Sequence, residues 1–403
     1  MRAVVWKGPH KVQVEQVDDA RLDEPTDVLV RLSTAAICGS DLHMYEGRAP
    51  GQPGTVFGHE NIGVVSEIGP AVRTIKVGDR VVLPFNIACG FCFNCTRGFT
   101  NSCLTTNPAT HSGGYGYSGM GPHRGGQAEF VRVPYADFNC LKLPGTPGDQ
   151  LEDDFVLLAD IFPTGYHATE QAHVRPGDSV AIFGAGPVGL LAALSARLRG
   201  ASEIYVVDSV ASRLELVGHI EGAVAVDFSK GDPVEQIFDL REPHRKGVQD
   251  LRPGAGKKMP GVMCGIDAIG YEAWDRDAIG KRQNPTQAFE DVIAVTNPTG
   301  HVGLIGVYFP EDPGGVDEGA KHGRYTVPLG EAWNKGLSVE MGQAPVKAYN
   351  VYLRDLIVAG LAKPSFIVSH RLPLEAAPEA YEKFDQRADG YTKILLKPEM
   401  KAA

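Results

Sequence analysis

The 403-residue sequence predicts an α/β protein in two parts, a barrel-like antiparallel β region followed by a doubly wound parallel sheet. Two observations carry this. The first 150 residues hold short β-branched runs divided by Gly/Pro turns such as Pro50-Gly51-Gln52-Pro53-Gly54 and Val77-Gly78-Asp79, the texture of an antiparallel barrel. Near residue 163 the texture changes to continuous apolar runs alternating with helix, the pattern of a parallel sheet.

In chain order, the expected strands of the first part are Val28–Leu32, Ile62–Ile68, Arg80–Leu83 and Ala128–Val133. In the second part, Ser179–Phe183 is a buried strand, Val188–Leu198 an Ala/Leu-rich helix and Glu203–Val207 the next strand. Ile266–Ile269, His301–Ile305 and Leu337–Met341 extend the sheet. Residues 239–290 are charged, Gly/Pro-rich and without periodicity, so they read as one or two surface insertions, and 309–325 as a loop. Helices are expected over Tyr352–Leu361 and Ala377–Phe384, and a last strand at Ile394–Leu396.

Composition narrows the function. Hydrophobic residues are 43% and charged residues 22%, which argues against disorder. The net charge of −10 makes a nucleic-acid or anionic-membrane binder a poor reading. No apolar run reaches the length of a spanning helix, and the N-terminus lacks a signal-peptide core. A cytoplasmic protein is expected. The seven cysteines are odd in number and four cluster, which points to metal ligation or catalysis rather than disulfides.

That cluster is Cys89-x2-Cys92-x2-Cys95-x7-Cys103. Four thiolates in one short loop suit a closed tetrahedral zinc site of structural type. An iron–sulfur cluster is the rival, but its common run has a shorter last spacing and a Pro after the fourth Cys; Leu104 follows here. A second set is dispersed: Cys38-Gly39-Ser40-Asp41-Leu42-His43 after a strand, and Gly58-His59-Glu60 opening another. A thiolate and an imidazole brought together are again zinc chemistry.

Gly184-Ala185-Gly186-Pro187-Val188-Gly189 follows an apolar strand and opens a helix. In that context the glycines let the backbone approach a pyrophosphate at a helix N-terminus. Asp208 ends the next strand, nineteen residues past Gly189, where a carboxylate binds a ribose 2′-hydroxyl and repels a 2′-phosphate. That favours NAD over NADP. Arg213 is the counter-signal, read as a contact to the adenosine end.

Together with Gly58-His59-Glu60-x2-Gly63 and Val77-Gly78-Asp79-Arg80-Val81, these motifs resemble the zinc-dependent medium-chain alcohol dehydrogenase family over nearly the whole chain. The resemblance implies a GroES-like catalytic domain (1–162 and 345–403) and a Rossmann coenzyme domain (163–344). It implies two zinc ions, NAD and a homotetramer. Cys38 and His59 would ligate the catalytic zinc. Many relatives supply a third ligand, a Cys, just before the coenzyme domain; here Leu157-Leu158-Ala159-Asp160-Ile161 occupies that place, so Asp160 is the expected ligand. A carboxylate is harder than a thiolate and leaves the zinc more Lewis-acidic. Glu60 would be an alternate ligand or sit behind the metal. Ser40 and His43 would relay the proton of the substrate hydroxyl, and Gly39, Ser40 and His43 would touch the cofactor. Thr164, Ala268, Ile269, Ile305, Val307, Gly342, Gln343 and Ala344 would line it.

Several stretches look closer to one branch, the NAD-dependent, glutathione-independent formaldehyde dehydrogenases and dismutases. They include Pro84–Gly90, Gly114-Tyr115-Gly116-Tyr117 with Gly125–Glu129, Val133–Asn139, Ala159–His167, Glu311–Gly314 and Gly342–Pro345. The branch implies oxidation of hydrated formaldehyde to formate, and an insertion near 270–290 that retains NAD so that a second aldehyde can reoxidise it. Here Arg276, Lys281 and Arg282 make that insertion basic. A general alcohol or polyol dehydrogenase is the alternative.

Overall fold

The computed structural model describes residues 1–249, 259–388 and 390–400. The chain divides into two compact units, Met1–Pro163 with the chain from Pro345 on, and Thr164–Ala344.

The first unit is built on strand Val28–Ile37. It pairs antiparallel with Glu60–Ile68, with Phe130–Val133 and with Ile394–Lys397. Arg80–Leu83 and Leu141–Lys142 continue the sheet on one side, and His370–Pro373 on the other. A separate hairpin, Arg2–Gly8 with Lys11–Gln16, precedes it. Alternate residues Val28, Val30 and Leu32 point with Val65, Val81, Leu83, Val131 and Val133 into one core. These alternate residues fill one face, as strand geometry requires, while Thr34–Ile37 are buried on both faces. Two register shifts, at Leu29/Val30 and Leu32/Thr34, bend the central strand.

The second unit is a six-stranded, wholly parallel sheet. Its strands run Ala223–Asp227, Glu203–Asp208, Ser179–Phe183, Val262–Asp267, Thr296–Leu304 and Ser338–Met341 across the sheet. In chain order this is 3-2-1-4-5-6. The order reverses between Ser179–Phe183 and Val262–Asp267, and a crevice outside the carboxyl ends at such a reversal is where ligands bind.

One expectation is corrected. Residues 239–290 are not insertions throughout: they contain the end of helix Pro233–Gln249, strand Val262–Asp267 and the start of helix Gln287–Val295. The expected strand Ile266–Ile269 caught only the end of Val262–Asp267, because the run before it, Val-Met-Cys-Gly, is short and glycine-broken. The helix escaped because it is largely polar and holds Pro243. Residues 250–258 of that stretch lie outside the described residues. The segment between, near 270–286, is tied down by its own arginines. Arg276 pairs with Asp232 and Asp291, and Arg282 with Asp275. Helix Glu318–Lys321 likewise interrupts the expected loop 309–325.

Candidate active site and metal centres

The loop Cys89–Cys103 carries the first cluster. Two 3₁₀ turns, Cys95–Arg97 and Thr100–Ser102, fold it so that all four sulfurs converge. Cys89 Sγ lies 4.0 Å from Cys95 Sγ, and Cys92 Sγ 4.0 Å from Cys103 Sγ. No disulfide forms. A tetrahedron with Zn–S bonds of about 2.3 Å puts its sulfurs about 3.8 Å apart, so the spacing fits a zinc ion. Backbone N–H groups point at the sulfurs: Cys89 N at Cys103, Cys92 N at Cys89, Leu104 N at Cys92 and Thr105 N at Cys103. Burial opposes ionisation, yet the backbone N–H groups of Leu104 and Cys95, with the Cys95 and Cys89 thiols, hold the Cys92 thiol down at about 6. Burial and the neighbouring sulfurs push Cys95 up to about 12. A cation among the four sulfurs would let all of them ionise.

The second cluster is assembled from distant segments. Cys38 ends the strand Val28–Ile37 and caps helix Gly39–Tyr45, whose Asp41 accepts from Cys38 N at 3.0 Å. In the neighbouring strand Glu60 pairs with Ala36, which sets His59 and Glu60 beside Cys38. Asp160 lies between a 3₁₀ turn and helix Ile161–Gln171, and the turn is pinned by Phe85 N donating to Ala159 O at 2.8 Å. One donor atom each from Cys38, His59, Glu60 and Asp160 falls within 4.8 Å of the others, and all four residues are buried. Cys38 Sγ is 3.7 Å, and His59 Nε2 3.2 Å, from Asp160 Oδ2. Expected zinc ligands are thus brought together.

Further partners orient this set. His59 Nδ1 meets Asp41 Oδ1 at 2.9 Å, which leaves Nε2 for the cluster and for Ser40 Oγ at 3.2 Å. A carboxylate behind a ligating imidazole is the usual support of a zinc site. Asp41 Oδ2 also accepts from Gln127 Nε2 at 3.2 Å, and Gln127 Oε1 from Tyr381 Oη at 2.8 Å. Lys393 Nζ pairs with Glu60 Oε2 and donates to Ile37 O at 3.0 Å. Glu60 Oε1 is buried without a partner.

The electrostatics of the cluster suit a bound cation. Burial, then Glu60, pushes the Cys38 thiol up. Burial also raises Glu60, against the pull of Lys393. On His59 burial opposes charge, but Asp41 and Asp160 outweigh it and lift the imidazole well above its ordinary value. Thiol, imidazole and two carboxylates, one with an orphaned oxygen, are a donor set that fits zinc. Ser40 and His43 share one face of helix Gly39–Tyr45, three residues apart, and His43 is buried. Gly39 opens the same helix.

In the second unit, Gly184-Ala185-Gly186 leads into helix Pro187–Leu198, with Gly186 as its cap and Val188 in its first turn. A Cβ on Gly189 would lie 1.8 Å from Gly184 O, so only glycine closes this turn. Asp208 Oδ2 accepts from Ala185 N at 2.8 Å, and Oδ1 from Ser209 N and Val210 N. Arg213 Nη1 is 3.9 Å from Asp208 Oδ2. Ala268 and Ile269 follow Val262–Asp267, and Ile305 and Val307 follow Thr296–Leu304. The two turns are stitched by a Gly270–Val307 bridge. Gly342, Gln343 and Ala344 follow Ser338–Met341, and Gln171 Nε2 donates to Gly342 O at 3.2 Å. Thr164 lies on helix Ile161–Gln171. The expected cofactor residues of this unit therefore lie in the loop after Ser179–Phe183, at strand ends, or on a helix.

The sequence reading missed Asp41 as a support, and also Gln127, Tyr381 and Lys393. Asp41 had a signal, an acidic residue three past a helix cap. The others had none: sheet register brings in Gln127 and Lys393, and helix Ala377–Asp385 brings in Tyr381. Lys347 was also missed: its Nζ donates to Asn86 O at 2.6 Å, and burial lowers it to about 7 while Cys95 and Cys103 pull it back up. Cys140 and Cys264 stand outside both clusters, with burial raising each thiol.

Comparison with known proteins agrees with this layout. Residues 24–145 match the alcohol dehydrogenase GroES-like domain. The chain is 42% identical to a glutathione-independent formaldehyde dehydrogenase of Pseudomonas aeruginosa (strain LESB58), over 95% of this chain and 94% of that one. It is 36% identical to a formaldehyde dismutase of Pseudomonas putida, over 96% and 95%. Among solved structures, the alcohol dehydrogenase TADH from Thermus sp. ATN1 superimposes with a TM-score of 0.79 at 35% identity, covering 98% of this chain and 99% of that one. Among the described residues no helix is long and apolar enough to cross a membrane. The chain belongs to the zinc-dependent medium-chain alcohol dehydrogenases, oxidoreductases whose cofactors are zinc and a nicotinamide dinucleotide.

Proposed function

We propose that this enzyme oxidises formaldehyde, as its hydrate, to formate with NAD and without glutathione. The observation that carries the reading is the 42% identity to a glutathione-independent formaldehyde dehydrogenase over 95% of the chain. The site supports it: a small buried donor set with Asp160 among its members suits a compact, oxygen-rich substrate.

Cys38, His59 and Asp160 would hold the catalytic zinc, with Glu60 beside them, and Cys89, Cys92, Cys95 and Cys103 the structural one. When bound, zinc polarises the substrate oxygen and NAD accepts the hydride. Ser40, at 3.2 Å from His59 Nε2, takes the proton of the substrate hydroxyl, and His43, one helical turn on, passes it towards solvent. Asp41 keeps the His59 ring in one tautomer and orientation. Asp208 selects NAD by excluding a 2′-phosphate, and the glycine loop with Pro187, Val188 and Arg213 holds the dinucleotide's phosphate and adenosine end. Retained NAD would allow dismutation to formate and methanol, in a homotetramer.

The test is a formaldehyde assay without glutathione, with and without added NAD. Formate formation supports the reading, and formate plus methanol without added NAD supports cofactor retention. Turnover of polyols with no formate from formaldehyde would instead favour a polyol dehydrogenase.

A further inference from the structure

The segment Gly113–Met120 is absorbed by neither cluster, yet it is pressed against two of the three stretches that build the catalytic one. A Cβ on Gly116 would lie 2.8 Å from Gly58 N, the residue before His59, and 3.0 Å from Phe57 C. Ser118 Oγ lies 3.2 Å from Thr55 Oγ1 and 3.8 Å from Sδ of Met44, which shares a helix with Ser40 and His43. Tyr117 is held between those two anchors. Its backbone is extended, and its carbonyl accepts from Met120 N at 2.8 Å.

Two further observations concern the phenol. Burial raises its pKa, and after burial the groups it senses are His59, which lowers it, and Asp41, which raises it. It therefore lies within electrostatic reach of the cluster and keeps its proton at neutral pH. Yet its hydroxyl has no hydrogen-bond partner among the described residues. Asp41 does not claim it, since both carboxylate oxygens are occupied by His59, Cys38 N and Gln127. The neighbouring Tyr115 differs: it is fully buried in the hydrophobic core, where its hydroxyl is sealed off.

We infer that Tyr117 is a specificity-determining residue whose phenol hydrogen-bonds the second oxygen of a geminal diol, so that the site favours aldehyde hydrates over simple alcohols. The inference rests on the proposed function. An alcohol has one hydroxyl, and Ser40 serves it. A hydrate has two, and the second needs a partner that a buried site must supply. A site that hydrogen-bonds a hydroxyl discriminates strongly against analogues lacking it.

The test is Tyr117→Phe, which removes one oxygen and keeps the ring. The holoenzyme variant should keep its Tm and its zinc content. Its kcat/KM for formaldehyde should fall about 10- to 100-fold, and that for ethanol by less than about 3-fold. Formate, which also presents two oxygens, gives a readout without turnover: its Kd, by calorimetry on the NADH-loaded enzyme, should rise about 10-fold. Equal loss on formaldehyde and ethanol, or unchanged values for formaldehyde and formate, would overturn the inference while leaving the proposed function intact. A wild-type enzyme that oxidises ethanol but no aldehyde hydrate would overturn both.

Discussion

The two donor clusters of the first unit are built in opposite ways. The four cysteines come from one fifteen-residue loop. They are ordered by backbone N–H groups and face a surface lobe on which Phe91, Phe93 and Phe99 stay exposed. The other cluster draws Cys38, His59, Glu60 and Asp160 from three distant stretches, and Asp41 and Lys393 hold it from behind. A local loop with four soft, equivalent donors has no position left for a substrate, which is the signature of structural zinc. A mixed set, supported by partners with charges of both signs, tunes a reactive metal. The lesson is that local clusters stabilise, whereas dispersed ones are positioned by the fold and can do chemistry.

If that division is right, single substitutions should separate activity from stability. The largest expected effect is Asp160→Ala. It should lower kcat/KM by at least about 1000-fold, since several kcal/mol of Lewis-acid stabilisation go with the metal. Its Tm should move little, as seen by scanning calorimetry. Next is Cys103→Ser, which should lower Tm by about 5–10 °C through loss of a metal whose binding is folding energy. The remaining folded enzyme should keep most of its activity per zinc.

Lys393→Met probes the support of Glu60. It leaves a buried carboxylate without its partner, which costs about 3–5 kcal/mol of stability, readable from the urea midpoint. Lys393→Arg should recover part of the loss. The smallest effect is kinetic. Dialysis against a chelator should show two phases: one ending activity with Tm nearly constant, and one lowering Tm. A single phase in which both are lost together would erase the distinction between the clusters.

What could be read from the sequence follows the same division. The Cys89–Cys103 loop and the Gly184–Gly189 turn are contiguous, so spacing alone exposes them. Asp208 was visible because a strand end at fixed distance from a glycine loop is a local relation. Asp160 was reachable only through resemblance, because nothing nearby marks it as a ligand. The supporting roles of Lys393 and Gln127 were not legible, although Gln127 stands in the Gly125–Glu129 stretch. The two residues reach the site because Ile394–Lys397 and Phe130–Val133 both pair with Val28–Ile37, a register no local pattern encodes. Strand Val262–Asp267 was partly missed for a related reason: its burial comes from parallel neighbours on both sides and not from alternation. Tyr117 stands in a motif stretch, but its nearness to the cluster emerges only from the structure, where Gly116 packs on Gly58 and Ser118 meets Met44.

The most direct test of this division is zinc per chain in three proteins, measured by elemental analysis alongside formaldehyde turnover. The expected result is about two zinc ions in the wild type and one each in Asp160→Ala and Cys103→Ser, with turnover abolished only in the first. An Asp160→Ala enzyme that retains two zinc ions and full turnover would contradict the account.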